Sequence, residues 1–325
     1  MRVTVIGGTG HIGTYLVPRL VRAGHEVVSV SRGERDPYRP DGAWNSVETV
    51  TVDRWAAEER GEFGDAVLDT DPDVVVDLIC FEQTSAESLV EALRGEIQQF
   101  LHCGTLWVHG PAEVVPTTED QPRTREPLGA YGRKKVEIEE YLHEEARKHG
   151  FPATVLHPGI IVGPGWTPVS PAGNGDLDVF QRLADGKQVA LPNFGQETLH
   201  HVHADDVAQS FQRAIERRSV AVGESFNVAS PRALTLRGYA RAVSEWFGHG
   251  PTLTFHPWPE WADRPEHDAD DVAVTEEHIR YCPNASIEKA HELLGYEPRY
   301  SSLQAVREAL EALVAEGEID AEFGG

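Results

Sequence analysis

Cysteine is scarce in this chain: Cys80, Cys103 and Cys282 are the only three in 325 residues. An odd number without paired spacing argues against a disulfide framework or a cysteine zinc site and fits a reducing compartment. Cys80 and Cys103 each end an apolar stretch and read as core thiols rather than nucleophiles. Long apolar runs are missing too. With no stretch of about eighteen apolar residues, no spanning helix and no membrane partner are expected. Nor is there a charged leader before a cleavable apolar segment, so the expected location is cytoplasmic. Positive charge is the third shortage. Lys plus Arg number 29 against 53 Asp plus Glu, a formal net charge of −24, which repels polyanions and disfavours nucleic acid as a partner. Only five of the basic residues are lysine, which carries little functional weight.

What is present begins at residue 3. The run Val3-Thr4-Val5-Ile6-Gly7-Gly8-Thr9-Gly10-His11-Ile12-Gly13 sets a glycine-punctuated turn between an apolar strand and a helix over 11–23. Gly7 permits unusual backbone angles, Gly10 lets the main chain approach a pyrophosphate, and Gly13 lets the helix lie close on the sheet. A bound anion would meet amide hydrogens at a helix N-terminus. The helix carries Ile12, Leu16, Leu20 and Val21 on one side, and a second strand over 26–31 completes a β-α-β unit. A P-loop is excluded, because Thr14 and Tyr15 stand where that motif needs Lys and then Ser or Thr. The expected ligand is a dinucleotide.

Strands are expected at 2–6, 26–31, 47–52, 73–79, 98–103 and 153–157, alternating with helical stretches. That alternation specifies an α/β fold with a Rossmann-type, doubly wound parallel sheet. Val74-Val75-Val76 and Phe100-Leu101 are apolar on successive residues, as strands covered on both faces must be. From Gly163 the texture turns to Pro, Gly and Trp. The expected division is a dinucleotide-binding domain over 1–165 and a smaller, mainly substrate-binding region over 166–325. The amphipathic helix 205–217 returns to the first domain. The second region is expected to hold a helix over 176–184, one strand over 198–203, a helix over 236–247, a Pro-, Trp- and Asp-rich loop over 257–271 with its acidic part, 267–271, solvated, and two terminal helices.

Tyr131 and Lys135 are four apart on a helix running to about residue 149, so phenol and ammonium share a face. A nearby ammonium, with the positive charge of an oxidised nicotinamide, is expected to lower the tyrosine pKa from about 10. Tyrosine then serves as general acid or base while a hydride moves. Thr105 follows the strand over 98–103, at the sheet edge where open α/β folds bind ligands, and its hydroxyl can hold a substrate oxygen or simply cap a turn.

The glycine triplet, Thr105 and Tyr131-x-x-x-Lys135, in this order, resemble the extended short-chain dehydrogenase/reductase superfamily, and within it the NAD-dependent epimerase/dehydratase branch. The likeness continues through Val108-His109-Gly110, His157-Pro158-Gly159-Ile160-Ile161-Val162-Gly163-Pro164 and His203-Ala204-Asp205-Asp206-Val207-Ala208. It covers about three quarters of the chain. It implies a catalytic set of Thr105, Tyr131 as acid/base, and Lys135, which also holds the nicotinamide ribose. It further implies cofactor contacts at Gly7, Thr9, Gly10, His11, Ile12, Gly13, Ser31, Arg32, Asp53 and Pro158, with Asp53 on the adenine, and a homodimer. After the second strand, Ser31-Arg32-Gly33 lacks an acidic partner for a ribose 2′-hydroxyl, whereas Arg32 can pair with a 2′-phosphate. NADP is therefore expected, with NAD the alternative.

Departures bear on the substrate. Ile160 and Leu199 stand where sugar-nucleotide members of the family carry Asn and Arg for the diphosphate, and Asp77-Leu78-Ile79-Cys80 replaces a small pair under the cofactor. No metal is expected: a strand would point His201 and His203 to one face and His200 to the other. The expected function is that of an NAD(P)-dependent oxidoreductase or epimerase transferring hydride at a secondary alcohol or ketone carbon of a small molecule; these residues leave reduction, epimerisation and dehydration open. The alternative is a non-catalytic NADP-binding regulatory or scaffold protein.

Overall fold

Successive apolar residues build the middle of a seven-stranded parallel sheet. Its order is Ser225–Val228, Ala153–Pro158, Gln99–Cys103, Val74–Asp77, Arg2–Ile6, Glu26–Ser31 and Glu48–Thr51. The computed structural model describes residues 1–122 and 129–324. From Arg2–Ile6 the chain winds outward to one side through Glu48–Thr51, then crosses back to Val74–Asp77 on the other. The crevice at that reversal lies beyond the carboxyl ends of the strands, where doubly wound sheets take their ligands.

Alternation along each strand sends side chains into two cores. Val74 and Val76 pack with Val3, Val5, Leu16 and Phe211 on one face, and Val75 packs with Ile6, Leu89, Phe100 and Ile138 on the other. Each such side chain contributes about 1.5–3 kcal/mol on full burial. Helix Ala204–Glu216 joins the first of these cores through Val207, Ala208, Phe211, Ala214 and Ile215. It is held to helix Gly13–Arg22 by an ion pair between Arg19 Nε and Asp205 Oδ1 at 2.7 Å. A third core, with Phe180, Leu199, Tyr239, Trp261 and Leu310, fills the later part of the chain. Among the described residues no helix is long and apolar enough to cross a membrane.

Two local expectations are corrected. The single strand over 198–203 is two: Thr198–Leu199 pairs antiparallel with Leu234–Thr235, and His201–His203 pairs parallel with Ile160–Val162. The change of partner falls at His200, whose carbonyl accepts from Ile160 N at 2.9 Å. Only a glycine fits opposite, since a Cβ on Gly159 would lie 2.4 Å from that carbonyl oxygen. The loop over 257–271 contains helix Trp258–Ala262 and the start of helix Ala269–Tyr281. Its acidic residues are helix-start chemistry: Asp268 accepts from Asp271 N at 2.7 Å, and Asp270 and Asp271 occupy the first turn.

Candidate active site

Gly7 sits at φ +86°, and the turn is closed by Gly10 N donating to Gly7 O at 3.0 Å and Thr14 N to Gly10 O at 2.9 Å. A Cβ on Gly13 would stand 2.2 Å from Gly8 O and 2.5 Å from Gly8 C, both main-chain atoms. The close approach of helix and turn therefore requires glycine there. Gly13→Ala is expected to distort the cradle, costing about 1–3 kcal/mol and abolishing any rise in unfolding temperature on adding a nicotinamide dinucleotide. An unchanged rise in a thermal-shift measurement would refute this.

Gly7, Thr9, Gly10, Ser31 and Arg32 line a cleft of about 310 Å³, together with Glu34, Arg35, Trp55, Ile79 and Phe81. Ile12, Gly13, Asp53 and Pro158 are not among its described lining residues. Ile12 packs into the core, and Pro158 ends a fully buried strand. Asp53 caps helix Arg54–Glu59, its Oδ1 accepting from Ala56 N at 3.0 Å. His11 turns away from the cleft to stack on Trp166, centroids 4.9 Å apart and planes 5° apart, and burial holds its pKa down at about 4. Arg32 pairs with Glu34 at 3.0 Å, and both side chains are more than half exposed. Two cleft aromatics escaped the sequence reading, Trp55 at 48% exposure and Phe81 at 38%. Large apolar side chains left open beside a phosphate cradle suit a flat ring such as adenine.

At the other end of the crevice, helix Gly129–His149 brings Tyr131 and Lys135 toward Thr105. Lys135 is 2% exposed. Its Nζ donates to Cys80 O and Cys103 O, both at 2.7 Å, and lies 4.8 Å from the Phe81 ring centroid and 5.8 Å from that of Tyr131. Two of three ammonium donors are thus fixed by main chain, the third being left for a ligand hydroxyl. Thr105 is buried, accepts from Trp107 N at 3.3 Å, and neighbours the Tyr131 phenol closely enough to oppose the rise in its pKa. It is therefore both a turn cap and a neighbour of the phenol.

The expected lowering of the Tyr131 pKa is not found. Burial of its hydroxyl end raises it, the hydrogen bond to Thr105 opposing, although the residue as a whole is 45% exposed. Lys135 does not offset this, because it faces carbonyls before it faces the phenol. Burial also pushes the Cys80 and Cys103 thiols up, to about 12 and about 11, which suits core thiols.

Asp77 does not face the cofactor cleft. Its carboxylate, wholly buried, takes Arg54 Nη1 at 2.8 and 3.0 Å and Ile79 N at 3.1 Å. Arg54 is also held by Glu58 at 2.6 Å.

Beside Thr105 opens a second, narrow pocket walled by Leu106, Trp107, Ile160, His200, Tyr281 and Asn284. Its far wall is stitched on from late in the sequence. Ala112 N donates to Tyr281 O, Thr117 N to Asn284 O and Ser286 N to Thr117 O, at 3.2, 2.7 and 2.8 Å. His200 is fixed as a neutral ring, with Nε2 on Ser230 O at 2.7 Å and Nδ1 accepting from Ala285 N at 3.1 Å. His201 packs edge-on against Tyr239, and His203 stacks on Tyr300 with Nε2 3.0 Å from Glu308. No group of three or more potential metal ligands occurs among the described residues.

The profile of the NAD dependent epimerase/dehydratase family matches residues 3–229. The chain is 24% identical over 318 residues to chloroplast stem-loop binding protein of 41 kDa b of Arabidopsis thaliana, covering 95% of this chain and 78% of that protein. It is 27% identical over 286 residues to 2'-dehydrokanamycin reductase of Streptomyces kanamyceticus, covering 85% and 74%. The crystal structure of UDP-glucuronic acid 4-epimerase from Bacillus cereus, in complex with UDP-glucuronic acid and NAD, shares the fold. Its TM-score is 0.71 at 18% identity, covering 97% of this chain and all of that one.

Proposed function

This chain belongs to the NAD dependent epimerase/dehydratase family, and from that premise we propose that it is an NADP(H)-dependent reductase of a ketone carbon, working reversibly on the secondary alcohol. The convergence of Thr105, Tyr131 and Lys135 at the carboxyl edge of the sheet carries the reading. When bound, the nicotinamide supplies or accepts the hydride. The chain's own part is proton transfer and orientation. Thr105 holds the substrate oxygen, and the Tyr131 Oη proton moves to it as the hydride reaches the carbon; in the reverse direction the phenolate takes that proton back.

The glycine cradle and the 310 Å³ cleft fit a dinucleotide, with Gly7, Thr9 and Gly10 toward its phosphates and Lys135 toward its nicotinamide ribose. Ser31, Arg32 and Arg35 at the cleft favour a 2′-phosphate. Arg32→Ala is expected to weaken NADPH binding about 10-fold to 100-fold and NADH binding far less, a charge-assisted hydrogen bond contributing about 1.5–3 kcal/mol. Equal losses for both cofactors in titration calorimetry would remove the NADP preference.

The name of the Streptomyces relative, a reductase, agrees with this direction. The name of the plant relative does not transfer, given the net charge of −24. A division near residue 165, a homodimer through helices Gln83–Leu93 and Gly129–His149, and a cytoplasmic location complete the proposal. The three free cysteines support the last of these.

A further inference from the structure

We propose that the pocket beside Thr105 selects an uncharged, phosphate-free ketone or secondary alcohol, and that the Tyr281 hydroxyl is the group that recognises it. This rests on the reading of Thr105 and Tyr131 as the reacting end.

The wall chemistry excludes an anion. None of the described residues lining the pocket is Lys or Arg, and the wall is made chiefly of Leu106, Trp107, Ile160, Tyr281, Pro283 and Ala285. His200 cannot take up the role of a cation, because burial holds its pKa at about 4 and both ring nitrogens are committed. Leu199, the next residue, is wholly buried in the third core and presents no charge. A phosphate pressed into such walls would lose its hydration without gaining a counter-charge. The free volume, about 20 Å³, is room for a group the size of a single water, so the pocket grips the edge of a small molecule rather than a diphosphate.

One polar group in this wall lacks a partner. Tyr281 is 3% exposed, its ring lies 4.6 Å from that of Trp107, and its Oη is buried without a hydrogen bond in the described structure. A buried hydroxyl without a partner is costly, and a substrate hydroxyl or carbonyl would satisfy it. Trp107 links it to the reacting end, its ring meeting that of Tyr281 and its amide donating to Thr105 Oγ1 at 3.3 Å, and in this proposal one small molecule reaches both.

The test uses the full chain saturated with NADPH. Cyclohexanone and UDP-glucose are each titrated by calorimetry and assayed for NADPH oxidation, with wild type, Tyr281→Phe and Tyr131→Phe. The expected result is binding and reduction of cyclohexanone, no binding of millimolar UDP-glucose, and for Tyr281→Phe a KM for cyclohexanone raised about 5–10-fold at unchanged kcat. Saturable binding of UDP-glucose, failure of cyclohexanone to bind, or an unchanged KM in Tyr281→Phe overturns the proposal. Failure of the oxidoreductase reading is separate: the chain would not bind NADPH, or Tyr131→Phe would reduce cyclohexanone as fast as wild type.

Discussion

Tyr131→Phe is expected to lower kcat by about 10²–10⁴-fold, the usual contribution of a positioned acid or base, while NADPH binding stays at its wild-type strength. The substitution removes one oxygen from a side chain that is nearly half exposed, so little packing is lost. What disappears is the phenol oxygen that neighbours Thr105. Lys135 cannot stand in, since its ammonium is tied to the carbonyls of Cys80 and Cys103. Paired measurements, steady-state rates and NADPH titration on the same preparation, separate the enzyme from a cofactor-binding regulator. A regulator would lose nothing on this change, and a rate within about threefold of wild type, well short of that range, would abandon the catalytic assignment.

Asp77→Ala is expected to destabilise the fold by about 3–5 kcal/mol, because it leaves the Arg54 charge buried with one of its two carboxylates gone. Arg54 is 3% exposed and Asp77 fully enclosed, so water cannot replace the lost partner. The same carboxylate also accepts from Ile79 N, the residue that lies against Gly7 in the cradle. Loss of stability should therefore come with weakened NADPH binding. Urea unfolding of the single variant, and of Arg54→Leu combined with Asp77→Ala, tests the cause. If the pair acts through the uncompensated charge, the double variant recovers part of the loss; a single variant within about 1 kcal/mol of wild type would contradict a buried pair of this kind.

The glycine turn, the parallel sheet and the Tyr131–Lys135 face were legible in the sequence because each depends on residues close together in the chain and on a fixed period. Features that depend on distant partners were not. Arg54 meets Asp77 across the sheet, so the odd Asp77-to-Cys80 segment read as a departure under the cofactor when it is half of an ion pair. Asp53, read toward adenine, also caps a helix through the amide of Ala56, a local role the sequence reading did not include. The strand over 198–203 has unbroken β-like character, and only the carbonyl of His200 meeting Gly159 explains its division. The direction of the Tyr131 shift depends on how far its hydroxyl is enclosed and on where Lys135 spends its donors, neither of which spacing can report. Tyr281 carried no signal at all, being one aromatic among many until its oxygen is seen without a partner.

The stitching of residues 281–286 onto 112–117 has a consequence for how the protein comes into being. The glycine cradle is lined by residues 6–81, but the helix behind it, Gly13–Arg22, shares its core with Phe211 and Tyr296. The pocket wall likewise waits on Tyr281 and Asn284, late in the sequence. A nascent chain therefore cannot finish either half of the crevice until these late residues have been made, and the two halves are completed together.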